Sequence, residues 1–135
     1  MRNLIFILLL FPIFIFSQNK KEQKKATKAA NNWLVKIDNG QYGESWDSTG
    51  EYFQNSIQRD RWSAALTASR LPLGNVIYRE FNSADYKTQL PGAPDGKYYI
   101  LRFNVSYEKK NSGIETITLS KGSDGAWEVV GFFIK

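Results

Sequence analysis

The apolar positions fall into two periods that meet near the middle of the chain. Ala26, Ala29, Ala30, Trp33, Leu34 and Ile37 recur at three- and four-residue steps, the stripe of an amphipathic helix. Asn39-Gly40 follows, glycine suiting the left-handed turn that closes a helix. Tyr42, Trp46, Thr49, Phe53 and Ile57 repeat the pattern and predict a second helix over 42–54. Gly43 and Gly50 weaken it, each by about 1 kcal/mol relative to alanine. Ser56 is placed to N-cap a third helix, with the stripe Trp62, Ala65, Leu66 and Ser69. Leu71-Pro72-Leu73-Gly74 ends it, because proline disfavours helical backbone in the residue before it.

Beyond Gly74 the period drops to two. Asn75–Phe81 alternates, and Tyr98–Glu108 predicts a strong strand. Tyr99, Leu101, Phe103, Val105 and Tyr107 share one of its faces, while Ile100, Arg102, Asn104 and Ser106 share the other. The odd face is apolar enough to be either the core or a dimer face, and a homodimer through the sheet fits the second case. Ile114–Leu119 and Trp127–Ile134 follow, joined by the turn-forming run Lys121–Gly125. Pro91, Gly92, Pro94, Asp95 and Gly96 mark an ordered, protruding loop, since its prolines cannot donate to a strand ladder. Helices followed by strands predict an α+β fold, with three N-terminal helices packed on a curved antiparallel four-stranded sheet. That order resembles the cone-shaped nuclear-transport-factor-2-like (cystatin-like) superfold, which places a pocket without assigning its use.

The first residues read as an address. Met1-Arg2-Asn3 is a short positive start, and Leu4–Phe16 is an unbroken apolar run. A spanning helix needs about 20 apolar residues and a signal-peptide core roughly 7–15, so 1–17 is read as a signal peptide. The bulky Phe14-Ile15-Phe16 before Ser17 makes a poor cleavage site, which leaves an uncleaved anchor as the alternative. The expected organisation is signal 1–17, basic spacer 18–25 and a single domain over 26–135. The expected location is periplasmic or secreted, with no stable membrane span after cleavage.

Charge changes little once it is located. The net +5 comes from 18 basic and 13 acidic residues. The excess lies in Arg2 and in Lys20, Lys21, Lys24, Lys25 and Lys28, so the folded part is neutral and basicity argues for no nucleic acid. The lysine run is read as a solvated spacer opening the first helix rather than as a binding face. With no cysteine and no histidine, disulfides, thiolate catalysis, Cys-ligated zinc and imidazole-based triads or metal sites are excluded. No P-loop, EF-hand or dinucleotide fingerprint occurs, and neither a metal nor a cofactor is expected.

The motifs together carry a closer resemblance. They are Trp33-Leu34, Asp38, Gly40-x-Tyr42-x-x-Ser45-Trp46, Phe53, Trp62, Arg70-x-Pro72-Leu73-Gly74 and Arg79, then Pro91–Gly96-x-Tyr98, Phe103, Glu115-Thr116 and Asp124-Gly125-x-Trp127-x-Val129-x-Gly131. Over about residues 26–135 the chain resembles the bacterial "domain of unknown function 4019" family. The resemblance implies a small exported or domain-fused module without an assigned activity. Phe132-Phe133 stands where relatives often carry a tyrosine, so any role of that hydroxyl is missing here.

Two groups of side chains are candidate sites. Trp33, Trp46, Trp62, Tyr98 and Trp127 would line an aromatic pocket or simply fill the core, and the tryptophans' places on the buried stripes favour the core. Arg70, Arg79, Arg102 and Glu115 are the charges expected inside. Glu115 shares a face with Ile117 and Leu119 and needs a cation there, for which Arg70 or Arg102 is the expected partner. The same charges could serve an anionic ligand, but a structural ion pair is the preferred reading. Asp38 is read as a helix-end residue, and no spacing joins an acid to a tyrosine. The leading function is an exported, non-catalytic module that binds a protein or small ligand through its sheet or cone mouth. The alternative is a small hydrolase- or isomerase-like enzyme using a buried carboxylate with Tyr or Arg.

Overall fold

The computed structural model describes residues 12–135, with side chains from Asn19 onward. Leu4–Phe11 of the apolar run lie outside these residues, and the expected cleavage after Ser17 falls within the first turns of the first helix, where the backbone alone is described. Helix α1 spans Pro12–Asp38 and includes the lysine-rich stretch. Its stripe Ala26, Ala30, Trp33, Leu34 and Ile37 is buried, while Ala29 packs at the margin. Gly40 (φ 73°) closes it. Its amide bonds to Ile37 O (3.1 Å) and that of Gln41 to Lys36 O (2.9 Å), the paired bonds of a Schellman cap.

The second predicted helix is two short ones, α2 (Tyr42–Asp47) and α3 (Glu51–Ser56). A tertiary contact breaks it: the Gly50 amide donates to Val129 O on the last strand (2.9 Å), and Thr49 bridges the same residue. A Cβ on Gly50 would sit 3.0 Å from both the Glu128 carboxylate and a Val130 methyl, so glycine permits the close approach. Helix α4 runs Arg59–Ser69 and buries Trp62 and Leu66. Its N-cap is Gln58, not Ser56, which ends α3 with its hydroxyl donating to Tyr52 O (2.7 Å). A 3-10 turn at Leu71–Leu73 leads into the sheet.

The strands are β1 (Val76–Lys87), β2 (Tyr98–Tyr107), β3 (Lys110–Lys121) and β4 (Trp127–Ile134). They form one antiparallel sheet in the order β1-β2-β3-β4, as the α+β reading anticipates. β1 runs to Lys87, past the expected end at Phe81, and β3 begins earlier than Ile114. Register shifts in all three pairings bend the sheet, since an extra residue kinks and twists the strand that carries it. The odd face of β2 is the core face: Tyr99, Leu101, Phe103, Val105 and Tyr107 are all buried, with Ile117, Leu119 and Val129 beside them. α1 lies mainly over β4, and β1 is left at an uncovered edge.

Candidate functional site

Residues from four elements and from the junction after α4 meet at one end of the sheet. Glu115, fully buried on β3, takes Arg79 Nε (2.8 Å) and Nη2 (3.0 Å) from β1. Arg79 also reaches Asp38 at the end of α1, through Nη1 (2.8 Å) and Nη2 (2.9 Å). Arg70, buried after α4, lies 3.4 Å from Asp38, donates to Gly74 O (2.6 Å) and packs over the Tyr107 ring at 4.7 Å. The Tyr107 hydroxyl donates to Glu115 Oε1. Two guanidinium groups thus face two carboxylates in a neutral cluster.

Burial works against the charge on Arg79, but its bonds to Asp38 and Glu115 outweigh that cost and hold its pKa above the ordinary arginine value. Burial first, then the bond to Glu115, raises Tyr107, so it stands as a neutral donor.

The partner expected for Glu115 was Arg70 or Arg102, and the structure corrects this to Arg79. Arg102 points to the outer face and pairs there with Asp85 (2.7 Å), because even-numbered residues of β2 face away from the helices. Arg70 joins the cluster only through Asp38 and Tyr107. Asp38, discounted as a helix-end residue, is the bridge between both arginines. The Tyr107–Glu115 pair also escaped the sequence, since an eight-residue spacing across a hairpin has no fixed period to betray it.

Trp33, Trp62 and Trp127 are buried and Trp46 is half-buried against the same core. Every indole N–H has an acceptor: Ser45 O for Trp33 (2.8 Å), Ile57 O for Trp46 (2.8 Å), Ser45 Oγ for Trp62 (2.9 Å) and Glu22 Oε2 for Trp127 (2.9 Å). Phe132 packs on this cluster, edge-on to Trp33, whereas Phe133 faces outward. Tyr98 is buried beside the Pro91–Gly96 loop and its hydroxyl donates to Pro94 O. Tyr52 of α3 donates to Gly92 O (2.5 Å), tying the protruding loop at a second point. Asp95 stays exposed. Among the described residues no cluster of three metal-ligating side chains occurs, and no helix is long and apolar enough to cross a membrane.

The hollows lie away from the charge cluster. A groove of about 840 Å³ runs between α1 and β1, walled by Lys20, Lys21, Lys24 and Lys28 with Phe81 opposite, and no carboxylate lines it. A second, of about 470 Å³, separates α4 from the end of β4 and is lined by Trp62, Leu66, Leu73 and Phe132, with Lys110 and Lys135 at its rim. A third, of about 360 Å³, holds Glu22, Tyr99, Lys121 and Trp127. None of the three is lined by Asp38, Arg70, Arg79, Tyr107 or Glu115.

Glu22 anchors the lysine-rich part of α1 to the sheet. Its bond to Lys121 (3.0 Å) outweighs desolvation, and with the Trp127 N–H holds its pKa below the usual carboxylate range. A lowered folded pKa adds stability above the unfolded value, near 4.3, and that stability is lost as pH falls through the folded value. Between neutral pH and about pH 3 the parent should therefore lose stability that Glu22→Gln does not lose. Urea titrations followed by tryptophan fluorescence at both pH values check this; equal pH slopes for parent and variant would remove the anchor.

Solved structures share the fold. One from Catenulispora acidiphila is 13% identical with a TM-score of 0.58, covering 89% of this chain and 94% of its own. Aln2 from a Streptomyces species is 11% identical with a TM-score of 0.52, covering 85% and 90%. At such identities the likeness is one of fold alone. No curated protein matches the chain. The family described as "Protein of unknown function (DUF4019)" matches residues 29–132, which takes in α2 to α4, the whole charge cluster and nearly all of the sheet, and the chain belongs to that family.

Proposed function

We propose that this chain is an exported, non-catalytic binding module that takes an anionic partner in the groove between α1 and β1. The groove itself carries the reading: four lysines, their apolar stems and an aromatic ring surround about 840 Å³ with no acidic side chain among them. An anionic occupant would meet unopposed ammonium groups there. Two further features support it. The tryptophans pack into the core with each N–H satisfied internally, and those that reach a hollow, Trp62 and Trp127, line other hollows than this groove. Export is supported by the positive start and apolar run of residues 1–16, and N-terminal sequencing of the exported protein should find Gln18 first.

A small pocket enzyme would need the Glu115–Tyr107–Arg79 trio, the arrangement here closest to an acid–base site. Both Glu115 oxygens are already occupied by Arg79 and Tyr107, and the residue opens into none of the hollows. A substrate would have no approach to it. The binding reading is therefore preferred.

Titration of the ¹⁵N-labelled protein with poly-L-glutamate at low salt tests it. Shifts should concentrate at Lys20–Asn31 and Phe81. Reversing both Lys24 and Lys28 to glutamate should weaken the response about tenfold, as should raising the salt to about 0.5 M. Shifts gathered instead around Trp62 and Phe132, or none at all, would sink the proposal.

A further inference from the structure

We infer that the anionic partner is an extended peptide segment that adds as a fifth strand along β1, with acidic side chains directed at α1; this rests on the groove reading above. The two edges of the sheet differ. β4 is blocked at Val129, which Gly50 N–H and Thr49 engage from outside the strand. β1 pairs with β2 on one side only, and no other strand among the described residues flanks it. Such an edge presents a row of unpaired N–H and C=O groups, a template for another strand. Natural edges are usually protected by charge or by a covering element. β1 carries four charges, but Arg79 is turned inward onto Asp38 and Glu115 and Asp85 is held by Arg102, while Ile77 (68% exposed), Tyr78, Phe81 and Tyr86 lie open along it.

The groove occupies the space that the inward side chains of a fifth strand would enter. Phe81 and Tyr86 lie on the inner face of β1, since Phe81 pairs with Phe103 and Tyr86 with Tyr99, both core residues. α1 stands across from that face with its lysines. The outer face is different: Glu80 lies there without a cation partner, Asp85 is held by Arg102, and Lys87 stands only at the far end of the strand. Beside Glu80, acids on the outer side of an added strand would therefore meet a carboxylate, whereas acids on the inner side would meet lysines. The pattern selected is Glu or Asp alternating with neutral β-formers such as Thr or Val. The bulge between Phe81 and Ser83 interrupts the edge, so the added segment is short, roughly six residues. Main-chain bonds would supply the affinity and the alternate side chains the specificity.

The probe is an acetylated, amidated octapeptide alternating Glu with Thr, compared with the same peptide N-methylated at two adjacent central residues, one of which must turn its N–H toward β1. The first should bind and slow amide exchange at alternate residues of β1 by about tenfold or more, while the second should bind about tenfold more weakly because a methylated amide cannot donate to a ladder. Lys24→Glu with Lys28→Glu, both at exposed positions whose change leaves the core intact, should weaken the first peptide about tenfold. Equal binding of both peptides, with shifts confined to α1, would overturn strand addition while leaving the groove reading intact. Binding of poly-L-glutamate but of neither octapeptide would do the same. No binding of any anion would overturn both.

Discussion

Glu115→Ala is expected to destabilise the fold by about 3–5 kcal/mol, the cost of removing one partner from a buried ion pair. Glu115 is 0% exposed, and its oxygens are the acceptors for two Arg79 N–H groups and for the Tyr107 hydroxyl. Without it the cluster carries two guanidinium groups against Asp38 alone, and a buried phenol loses its acceptor. Removing both charges should cost less than removing one, because an apolar pair of similar volume avoids the desolvation that the ion pair must offset. Glu115→Leu with Arg79→Met should thus be more stable than Glu115→Ala. A double-mutant cycle by urea denaturation measures the coupling. A loss below about 1 kcal/mol for Glu115→Ala would mean that the cluster does not fix the helices to the sheet. Glu115→Gln adds a separate check: unchanged stability with lost capture of poly-L-glutamate would make Glu115 part of the binding surface.

How much of this was legible depends on whether one strand sufficed to read it. Parity along β3 places Glu115 inside with Ile117 and Leu119, and parity along β2 places Arg102 outside. The same rule argues against Arg102 as the partner of Glu115. Choosing Arg79 over Arg70 needs more than parity, because it requires the register of three strands: Arg79 opposite Val105, and Phe103 opposite Glu115. That register is set by turns and bulges whose lengths the alternation does not reveal.

The division of the second helix is lost for a related reason. Gly43 and Gly50 signal weakness in the sequence, but the break occurs where Gly50 meets β4, a contact with Val129 far along the chain. The lysine groove was the least visible feature. Lys20, Lys24 and Lys28 repeat at a helical step that also describes a solvated face. What makes them a wall is the seating of α1 over β4, with β1 left bare opposite them.

Trp62→Ala should cost about 3–5 kcal/mol, the range for deleting a buried tryptophan. Its ring lies 4.9 Å from Phe53, 6.3 Å from Trp33 and 6.4 Å from Phe132, so one side chain of α4 touches α3, α1 and β4. Its N–H donates to Ser45 Oγ, and Ser45 O in turn accepts from Trp33, which ties α2 into the same cluster. Trp62→Phe separates the two contributions: it keeps much of the ring contact and loses the N–H, and should cost less than the alanine variant. Trp62 also lines the 470 Å³ hollow beside α4, so its removal opens that hollow into the core. An apolar space of that kind can be refilled by a small aromatic molecule, which stabilises whichever state binds it. Free indole should therefore raise the melting temperature of Trp62→Ala and leave that of the parent unchanged. If indole stabilises the parent equally, the hollow already accepts an aromatic ligand and the core is not filled by Trp62 alone. If it stabilises neither, the helices collapse onto the vacated space, and the measured loss should then fall toward the lower end of the range, because a site that closes up forfeits less packing.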